Sequence, residues 1–202
     1  MKEWARYSYE KSLQKEGYLI VAGIDEVGRG CLAGPLVASA VVLPVNCKLK
    51  LYDSKQITAQ KRLDLSDEVI KNAVGCGIGW VTNIEIDEFG LAWALQEAYE
   101  RALVDMNLEV SRIILDGSVN YLSEYEISET IVKADQKVAC VAAASIVAKV
   151  ARDTFMQSLS DKHPEYRYET NVGYGTVSHR EAIQKYGLTD IHRKSFCSKI
   201  LI

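Results

Sequence analysis

Acidic residues stand at the ends of three predicted apolar strands. They are Asp25 and Glu26, Asp116, and Asp135. Ligands bind at strand ends beside the opening of an α/β sheet, so we expect these carboxylates to meet at such an opening. Like charges at close range repel strongly, and such a cluster therefore implies bound divalent cations. Carboxylate oxygens suit Mg²⁺ or Mn²⁺, and no Cys/His spacing indicates a softer metal.

Each acid taken alone also has a simpler interpretation. Asp116 precedes Gly117 and could form a turn, and Asp135 could cap the helix that follows it. For one acid we would favour such a structural role. Four carboxylates at the ends of apolar strands in one sheet favour a metal site instead.

A glycine-dense turn follows the first pair of acids, beginning Gly28-Arg29-Gly30. Glycines let the backbone turn tightly and bring N–H groups close to a ligand. Acids that can bind a metal, next to exposed backbone that can contact a polar substrate, are a combination typical of nucleases.

The same turn also satisfies G-x-G-x-x-A, the dinucleotide-binding fingerprint, from Gly28 to Ala33. That fingerprint requires a helix whose N-terminus faces pyrophosphate. Pro35 and the β-branched run after it predict a strand instead, and the two preceding carboxylates would repel phosphates unless metals intervened. A nucleotide-cofactor enzyme is therefore the weaker interpretation.

The apolar pattern predicts an α/β fold with a mixed central sheet flanked by helices. Predicted strands run to about Ile24, over residues 36–43, 76–81 and 112–116, and to Ala134-Asp135. Helices are predicted within the lead-in 1–18, from Thr58 to Gly75, and from Val138 onward. The apolar positions of the second of these are Leu63, Ile70 and Ala73. Capping boxes predict one long helix after Thr82–Glu85 and another from Ser178–Glu181 to Gly187. Phe89, Trp93, Tyr99 and Met106 form a stripe on the long helix that we interpret as core without a functional role.

Composition is that of a soluble, reduced protein. The 202 residues are most simply one domain, the charged start is not a signal peptide, and no apolar run approaches the roughly 20 residues that span a bilayer. The five cysteines include no C-x-x-C pair, so we expect a cytoplasmic protein without disulfides or zinc. The net charge of −3 weighs against a nucleic-acid partner, but residues 162–202 hold seven basic and four acidic side chains. Charge alone fits either a basic face that binds phosphates or an ordinary solvated face there.

Several short motifs occur in a fixed order along residues 19–196. They are Gly23-Ile-Asp-Glu-Val-Gly-Arg-Gly-Cys-Leu-Ala-Gly-Pro35, Asp53-Ser-Lys55, Ile114-Leu-Asp-Gly117, Lys133-Ala-Asp-Gln-Lys137, Ala142-Ala-Ala-Ser-Ile-Val-Ala-Lys-Val-Ala-Arg-Asp153, Gly173-Tyr-Gly-Thr176 with His179, and His192-Arg-Lys-Ser-Phe196. Each alone is weak, but together the chain resembles ribonuclease HII, the type 2 ribonuclease H family.

The resemblance implies a ribonuclease H-like fold over a single domain, 1–202, with a helical substrate-binding region over about 160–202. It implies that Asp25, Glu26, Asp116 and Asp135 are the catalytic metal ligands for two Mg²⁺ or Mn²⁺ ions. The implied reaction is cleavage of RNA in RNA–DNA hybrids, and cleavage 5′ to a single ribonucleotide in duplex DNA. The products are a 3′-hydroxyl and a 5′-phosphate.

The resemblance also assigns substrate contacts. Gly28-Arg29-Gly30 and Tyr174 would read the 2′-hydroxyl and its sugar, Ser54 and Lys55 would contact phosphate, and His179 would contact phosphate or lie on the surface. The resemblance also implies a monomer that does not bind a membrane. Some family members carry a C-terminal peptide that binds a sliding clamp, which residues 195–202 do not clearly match.

Three positions depart from the family pattern: Cys31 replaces a proline, Ala134 a glycine, and Gly90 an asparagine. None removes a predicted catalytic group. The alternative function is a non-catalytic binder of hybrid duplexes with the same fold, against which the presence of all four acids speaks.

Overall fold

Five strands form one mixed sheet in the computed structural model, which describes residues 5–45, 47–52 and 54–200. The strands are β1 (Val21–Val27), β2 (Leu36–Val42), β3 (Gly75–Val81), β4 (Arg112–Asp116) and β5 (Ser128–Ile131). Their order across the sheet is β3-β2-β1-β4-β5. Strands β1 to β3 pair antiparallel, whereas β4 pairs parallel with both β1 and β5. The predicted mixed sheet is confirmed.

Helices cover both faces of this sheet. They are α1 (Ser8–Lys15), α2 (Ala59–Asn72), α3 (Asn83–Phe89), α4 (Leu91–Met106), α5 (Ala139–Ser158), α6 (Tyr168–Asn171), α7 (Val177–Tyr186) and α8 (Lys194–Cys197). One core joins α1, α2 and α5 to the sheet, and a second joins α4 to the opposite face. No helix among the described residues has the length and apolar character needed to cross a bilayer.

The central strands are mostly apolar because both of their faces are covered. Along β1, Val21 belongs to the core on the α5 side, and Ala22 and Ile24 belong to the core on the α4 side. The strand continues to Val27, three residues beyond the predicted end, because Asp25 and Glu26 still pair with β2. The two acids are therefore held in the sheet itself.

Helix α4 lies unusually close to the edge strand β3. A Cβ atom placed on Gly79 would lie 1.9 Å from the carbonyl oxygen of Ala98, and one on Gly77 would lie 2.2 Å from that of Ala102. The glycines of β3 therefore allow the backbones of the helix and the strand to touch, which any larger residue would prevent.

Two helix predictions need correction. The capping box of Thr82 and Glu85 is present, but the predicted long helix is two helices, because Gly90 adopts a φ of 83° between α3 and α4. Helix α2 begins after Thr58 as predicted, yet it buries Leu65, Ser66 and Val69. The predicted apolar positions Leu63 and Ile70 are 41% and 52% exposed, since α2 packs on α5 along a different stripe.

The ends of two helices also differ from the sequence prediction. Gly75 begins β3 and does not end α2, which stops at Asn72. Helix α7 is capped by Thr176, whose side chain accepts a hydrogen bond from the N–H of His179, so its cap lies two residues before the predicted cap Ser178. It ends before Gly187, as predicted.

The C-terminal region is helical and forms a third core with the glycine-dense turn. Leu32 and Ala33 of the turn pack there with Met156 of α5, the rings of Tyr166 and Tyr168, and residues of α7. The turn is therefore held between the sheet and the C-terminal helices.

Candidate active site

A cavity of about 500 Å³ opens where β1 and β4 end. Its lining is Asp25, Glu26, Val27, Gly28, Arg29, Gly30, Ser54, Lys55, Asp116, Ser145, Lys149 and Tyr174. Every predicted site residue except Asp135 and His179 is among them. The parallel pairing of β1 with β4 brings the acids of the two strands to the same edge of the sheet.

The pKa values of Asp25 and Glu26 are raised in this cavity. Burial is the main cause for Asp25, followed by the negative charges of Glu26 and then Asp116. Burial also raises the pKa of Glu26, although Tyr99 and Arg29 act in the opposite direction. The Tyr99 hydroxyl donates to Glu26 Oε2 at 2.5 Å, and Arg29 Nη1 lies 4.0 Å from Glu26 Oε1. Mutual repulsion in a buried site favours the arrival of a cation.

Asp135 does not stand at a strand end, contrary to the sequence prediction. Strand β5 ends at Ile131, where it pairs with Asp116, and the chain then passes through Lys133 at a φ of 57°. Asp135 lies buried in a short 3₁₀ turn, Ala134–Gln136, just before α5. Asp116 Oδ1 accepts the backbone N–H of Ala134 at 2.7 Å, so this bond ties the turn to the acid of β4.

The donor types of the site suit a hard divalent cation, because carboxylate oxygens are the ligands that Mg²⁺ and Mn²⁺ prefer. Asp25, Glu26 and Asp116 bring three carboxylate groups to one cavity. As the side chains lie, no group of three or more acids, histidines and cysteines within the described part of the chain forms a metal-holding set. The residues therefore fit a metal in charge and chemistry, while their present positions are not a finished coordination shell.

Two buried arginines donate hydrogen bonds to carbonyl oxygens of the glycine-dense turn. Arg152 of α5 donates to the carbonyl oxygens of Pro35, Val172 and Ala33 at 2.9, 2.8 and 3.1 Å. Arg193 donates to those of Gly34 and Arg29 at 3.0 and 3.2 Å. Four of these five bonds hold the turn between Arg29 and Pro35, and the fifth holds Val172, two residues before Tyr174.

Gly28 is required where the turn meets Arg152. Its φ is 91°, and a Cβ atom there would lie 2.3 Å from Arg152 Nε. Gly30, by contrast, has open space where a Cβ would be, so its backbone stays accessible from the cavity. Both arginines lie within the family motifs, but nothing in the sequence indicated their role.

Tyr174 lies on a loop that is bonded to the turn. The carbonyl oxygen of Gly173 accepts from the N–H groups of Leu32 and Ala33 at 2.9 and 3.3 Å, and Cys31 and Tyr174 form an isolated antiparallel bridge. The Tyr174 side chain is 37% exposed at the cavity. Cys31, which departs from the family pattern, is buried in this contact and leaves the turn in place.

The opposite wall of the cavity comes from α5 and the loop before α2. Ser54 is buried with its Oγ 3.1 Å from Ser145 Oγ, and Lys149 pairs with Asp153 at 2.8 Å. Lys55 also lines the cavity, and Asp53 lies outside the described residues.

Sequence reasoning missed the contributions of Ser145, Lys149 and Tyr99 to the site. Tyr99 was interpreted as core without a function. Its ring is indeed buried, but its hydroxyl reaches Glu26. The hydrogen bond to Glu26, which only the fold creates, is what distinguishes Tyr99 from an ordinary core tyrosine.

His179 does not lie on the cavity, and the predicted phosphate contact is not supported by its position. It is the third residue of α7 and is fully buried. Its Nδ1 lies 2.9 Å from the carbonyl oxygen of Tyr174, and its Nε2 lies 3.1 Å from Nε2 of His192. Both ring nitrogens are therefore engaged within the protein.

We expect His192→Gln to make the fold less sensitive to acid. Burial is the main cause that lowers the pKa of His192 to about 4, and the neighbouring His179 adds to it. The unfolded chain therefore binds a proton at this site below about pH 6.5, before the folded chain does, and stability is lost as the pH falls from there towards 4. The loss avoided by the variant is on the order of 3 kcal/mol. Urea unfolding at pH 7 and pH 4.5 measures it, and parallel losses in both proteins would contradict the assignment.

Comparison with known proteins identifies related chains. The family described as ribonuclease HII matches residues 22–199. A curated ribonuclease HII of Thermosynechococcus vestitus is 43% identical over 195 residues, which are 96% of this chain and 91% of that protein.

Solved structures share the architecture. The ribonuclease H2 of Pyrococcus horikoshii superimposes with a TM-score of 0.77 at 30% identity, covering 90% of this chain and 96% of that one. The Archaeoglobus fulgidus structure titled as a PCNA:RNase HII complex gives a TM-score of 0.75 at 28% identity, with coverages of 87% and 94%. A Bst-RNase HIII in complex with Mn²⁺ shares the fold, with a TM-score of 0.71 at 21% identity over 91% of this chain and 70% of that one.

Proposed function

The chain belongs to the ribonuclease HII family, and from that premise we propose that this nuclease cuts the RNA strand of RNA–DNA hybrids and cuts 5′ to a single ribonucleotide in duplex DNA. One observation carries the finer part of the proposal. The carboxylates of Asp25, Glu26 and Asp116 line the same cavity as the Gly28–Gly30 backbone and Tyr174. A site for hydrolysis and a site for reading one sugar are thus adjacent.

Asp25, Glu26, Asp116 and Asp135 would hold two Mg²⁺ or Mn²⁺ ions. Ions held there would supply activation of the attacking water and charge stabilisation at the leaving 3′-oxygen, and the products would be 3′-hydroxyl and 5′-phosphate ends. The protein's part is to keep the carboxylates close together despite their repulsion. Tyr99 orients Glu26 through its hydrogen bond, and the bond from Ala134 to Asp116 keeps the turn of Asp135 beside β4.

The 2′-hydroxyl distinguishes RNA from DNA at one position, so a reader of single ribonucleotides must contact it. The exposed backbone at Gly30 can approach the sugar closely, and the Tyr174 ring offers a face on which the sugar can pack. The bonds between Gly173 and the turn keep these two elements in a fixed relation. Ser54 and Lys55, with Lys149 of the same cavity wall, supply the phosphate contacts.

A clamp interaction stays a prediction for this chain, with which one neighbour's title is consistent. The Archaeoglobus neighbour is titled as a complex with PCNA. Here Phe196, the aromatic residue of the C-terminal segment, packs against two of the cores and is only partly exposed. Residues 201 and 202 lie outside the described chain.

The proposal is tested with end-labelled DNA duplexes that contain one ribonucleotide or none, and with a long RNA–DNA hybrid, in Mg²⁺ or Mn²⁺. We expect one cut, 5′ to the ribonucleotide, and no cut in the all-DNA duplex. Degradation of the hybrid alone would reject the hypothesis that Gly28–Gly30 and Tyr174 recognise a single ribonucleotide. Stable binding of the hybrid without cleavage in either metal would favour the non-catalytic binder.

A further inference from the structure

Two buried histidines form a directed hydrogen-bond chain that ends at the Tyr174 loop. The backbone N–H of Thr189 donates to His192 Nδ1 at 2.9 Å, and Thr189 Oγ1 lies 2.8 Å from the same nitrogen. Because the backbone N–H can only donate, we assign the His192 proton to Nε2. The carbonyl oxygen of Tyr174 can only accept, so His179 Nδ1, at 2.9 Å, carries the proton of that ring. His192 Nε2–H then donates to the bare Nε2 of His179 across 3.1 Å.

This chain requires both rings to be neutral. A proton added to His179 Nε2 would face the N–H of His192, and one added to His192 Nδ1 would face the backbone N–H of Thr189 beside its hydroxyl oxygen. The ionisable groups around the pair are His163, Tyr166, Tyr168 and Asp190. The ring centroid of Tyr166 is 5.0 Å from that of His192, and the Asp190 side chain is 70% exposed at the rim. The pair is thus packed mainly against rings, in surroundings that disfavour a charged imidazole.

The backbone of the same two segments holds the substrate-reading elements. The carbonyl oxygen of Tyr174 accepts from His179 and from the N–H of Thr176 at 2.8 Å. On the other side, His192 forms a bridge with Ala33, and the N–H of Gly34 donates to the neighbouring Ile191 at 2.9 Å. The imidazole pair therefore joins the loop of Tyr174 to the segment that supports the glycine-dense turn.

We propose that His179 and His192 are positioning residues for Tyr174, which they hold at the cavity through the neutral imidazole pair. The inference rests on the proposed function, because it is the sugar-reading role of Tyr174 that the pair would serve. Neither histidine lines the cavity or touches the acids. Their loss should therefore weaken substrate binding and leave the chemical step nearly unchanged.

The kinetic test compares His179→Leu with His179→Asn. Leucine removes the donor to Tyr174, whereas asparagine can place an amide N–H where Nδ1–H lies. We expect His179→Leu to raise KM for the single-ribonucleotide duplex about tenfold with little change in kcat, the size expected for one lost positioning hydrogen bond. His179→Asn should restore most of that loss. His163→Leu is the matched control, since His163 packs on the same tyrosines without contacting Tyr174.

A double-mutant cycle separates positioning from general structural support. If His179 acts through Tyr174, the Leu substitution should change KM less than about twofold once Tyr174→Ala is already present. An equal increase in KM in both backgrounds, or a fall in kcat as large as the rise in KM, would overturn the proposal.

Nuclear magnetic resonance gives an answer that does not depend on cleavage. Long-range ¹H–¹⁵N spectra of the wild type at pH 7 should show the proton on Nδ1 of His179 and on Nε2 of His192. The Tyr174 resonances should shift in His179→Leu and return in His179→Asn. The opposite tautomers, a charged ring, or unmoved Tyr174 resonances would overturn the inference. Absence of wild-type cleavage with the expected spectra would reject only the proposed function.

Discussion

Asp116→Asn is expected to reduce cleavage of the single-ribonucleotide duplex by about 10³-fold or more, since a divalent ion supplies several kcal/mol of charge stabilisation to such a reaction. The substitution removes one negative charge and keeps the shape. The asparagine Oδ1 can still accept the N–H of Ala134, so the turn that carries Asp135 should remain in place. The effect then reports the charge alone.

Stability should not fall in the same variant. The charge of Asp116 is one of the causes that raise the pKa of Asp25, so its removal relieves repulsion in the metal-free protein. We expect Asp116→Asn to unfold in urea at the same or a higher concentration than the wild type, and to bind Mn²⁺ more weakly in a calorimetric titration. Asp67→Asn, an exposed change on α2, is the control. Full activity of Asp116→Asn would reject Asp116 as a metal ligand, and loss of both activity and stability would make its role structural.

Arg152→Met is expected to destabilise the fold by about 3 kcal/mol or more, because it leaves buried carbonyl oxygens of Pro35, Val172 and Ala33 without their donor. Methionine fills much of the same volume, so the loss reports hydrogen bonds rather than an empty space. Lysine should recover only a part, since one ammonium group cannot reproduce the fork of a guanidinium.

Urea unfolding at pH 7 measures this loss, with Arg167→Met as the matched control. Arg167 is 59% exposed and lies 3.9 Å from Glu169, so its replacement should change stability by less than about 0.5 kcal/mol. Equal effects of the two substitutions would mean that the bonds under the turn contribute nothing beyond those of a surface arginine. A stable Arg152→Met protein that still loses substrate binding would assign Arg152 to the site rather than to the fold.

Much of the architecture could be predicted from local pattern. The apolar runs of β1, β2 and β4 and the capping box of Thr82 and Glu85 are signals within a few residues, and the structure has them where they were expected. Two of the predictions that were wrong depend on neighbours far along the chain. The buried stripe of α2 is set by its packing on α5, and β1 continues past Ile24 because β2 still pairs with it.

The sequence by itself determined which groups are available for chemistry: acids after apolar strands, glycines in a turn, and an ordered set of family motifs. Residue type and spacing carry that information because strand ends and tight turns have strong local requirements. Only the tertiary structure decided how those groups are held. The Tyr99 hydroxyl meets Glu26 across 73 positions, and Arg152 meets Pro35 across 117. Such contacts arise from packing two faces of a sheet, which no local pattern specifies, and the same packing buried His179 and made it a partner of His192.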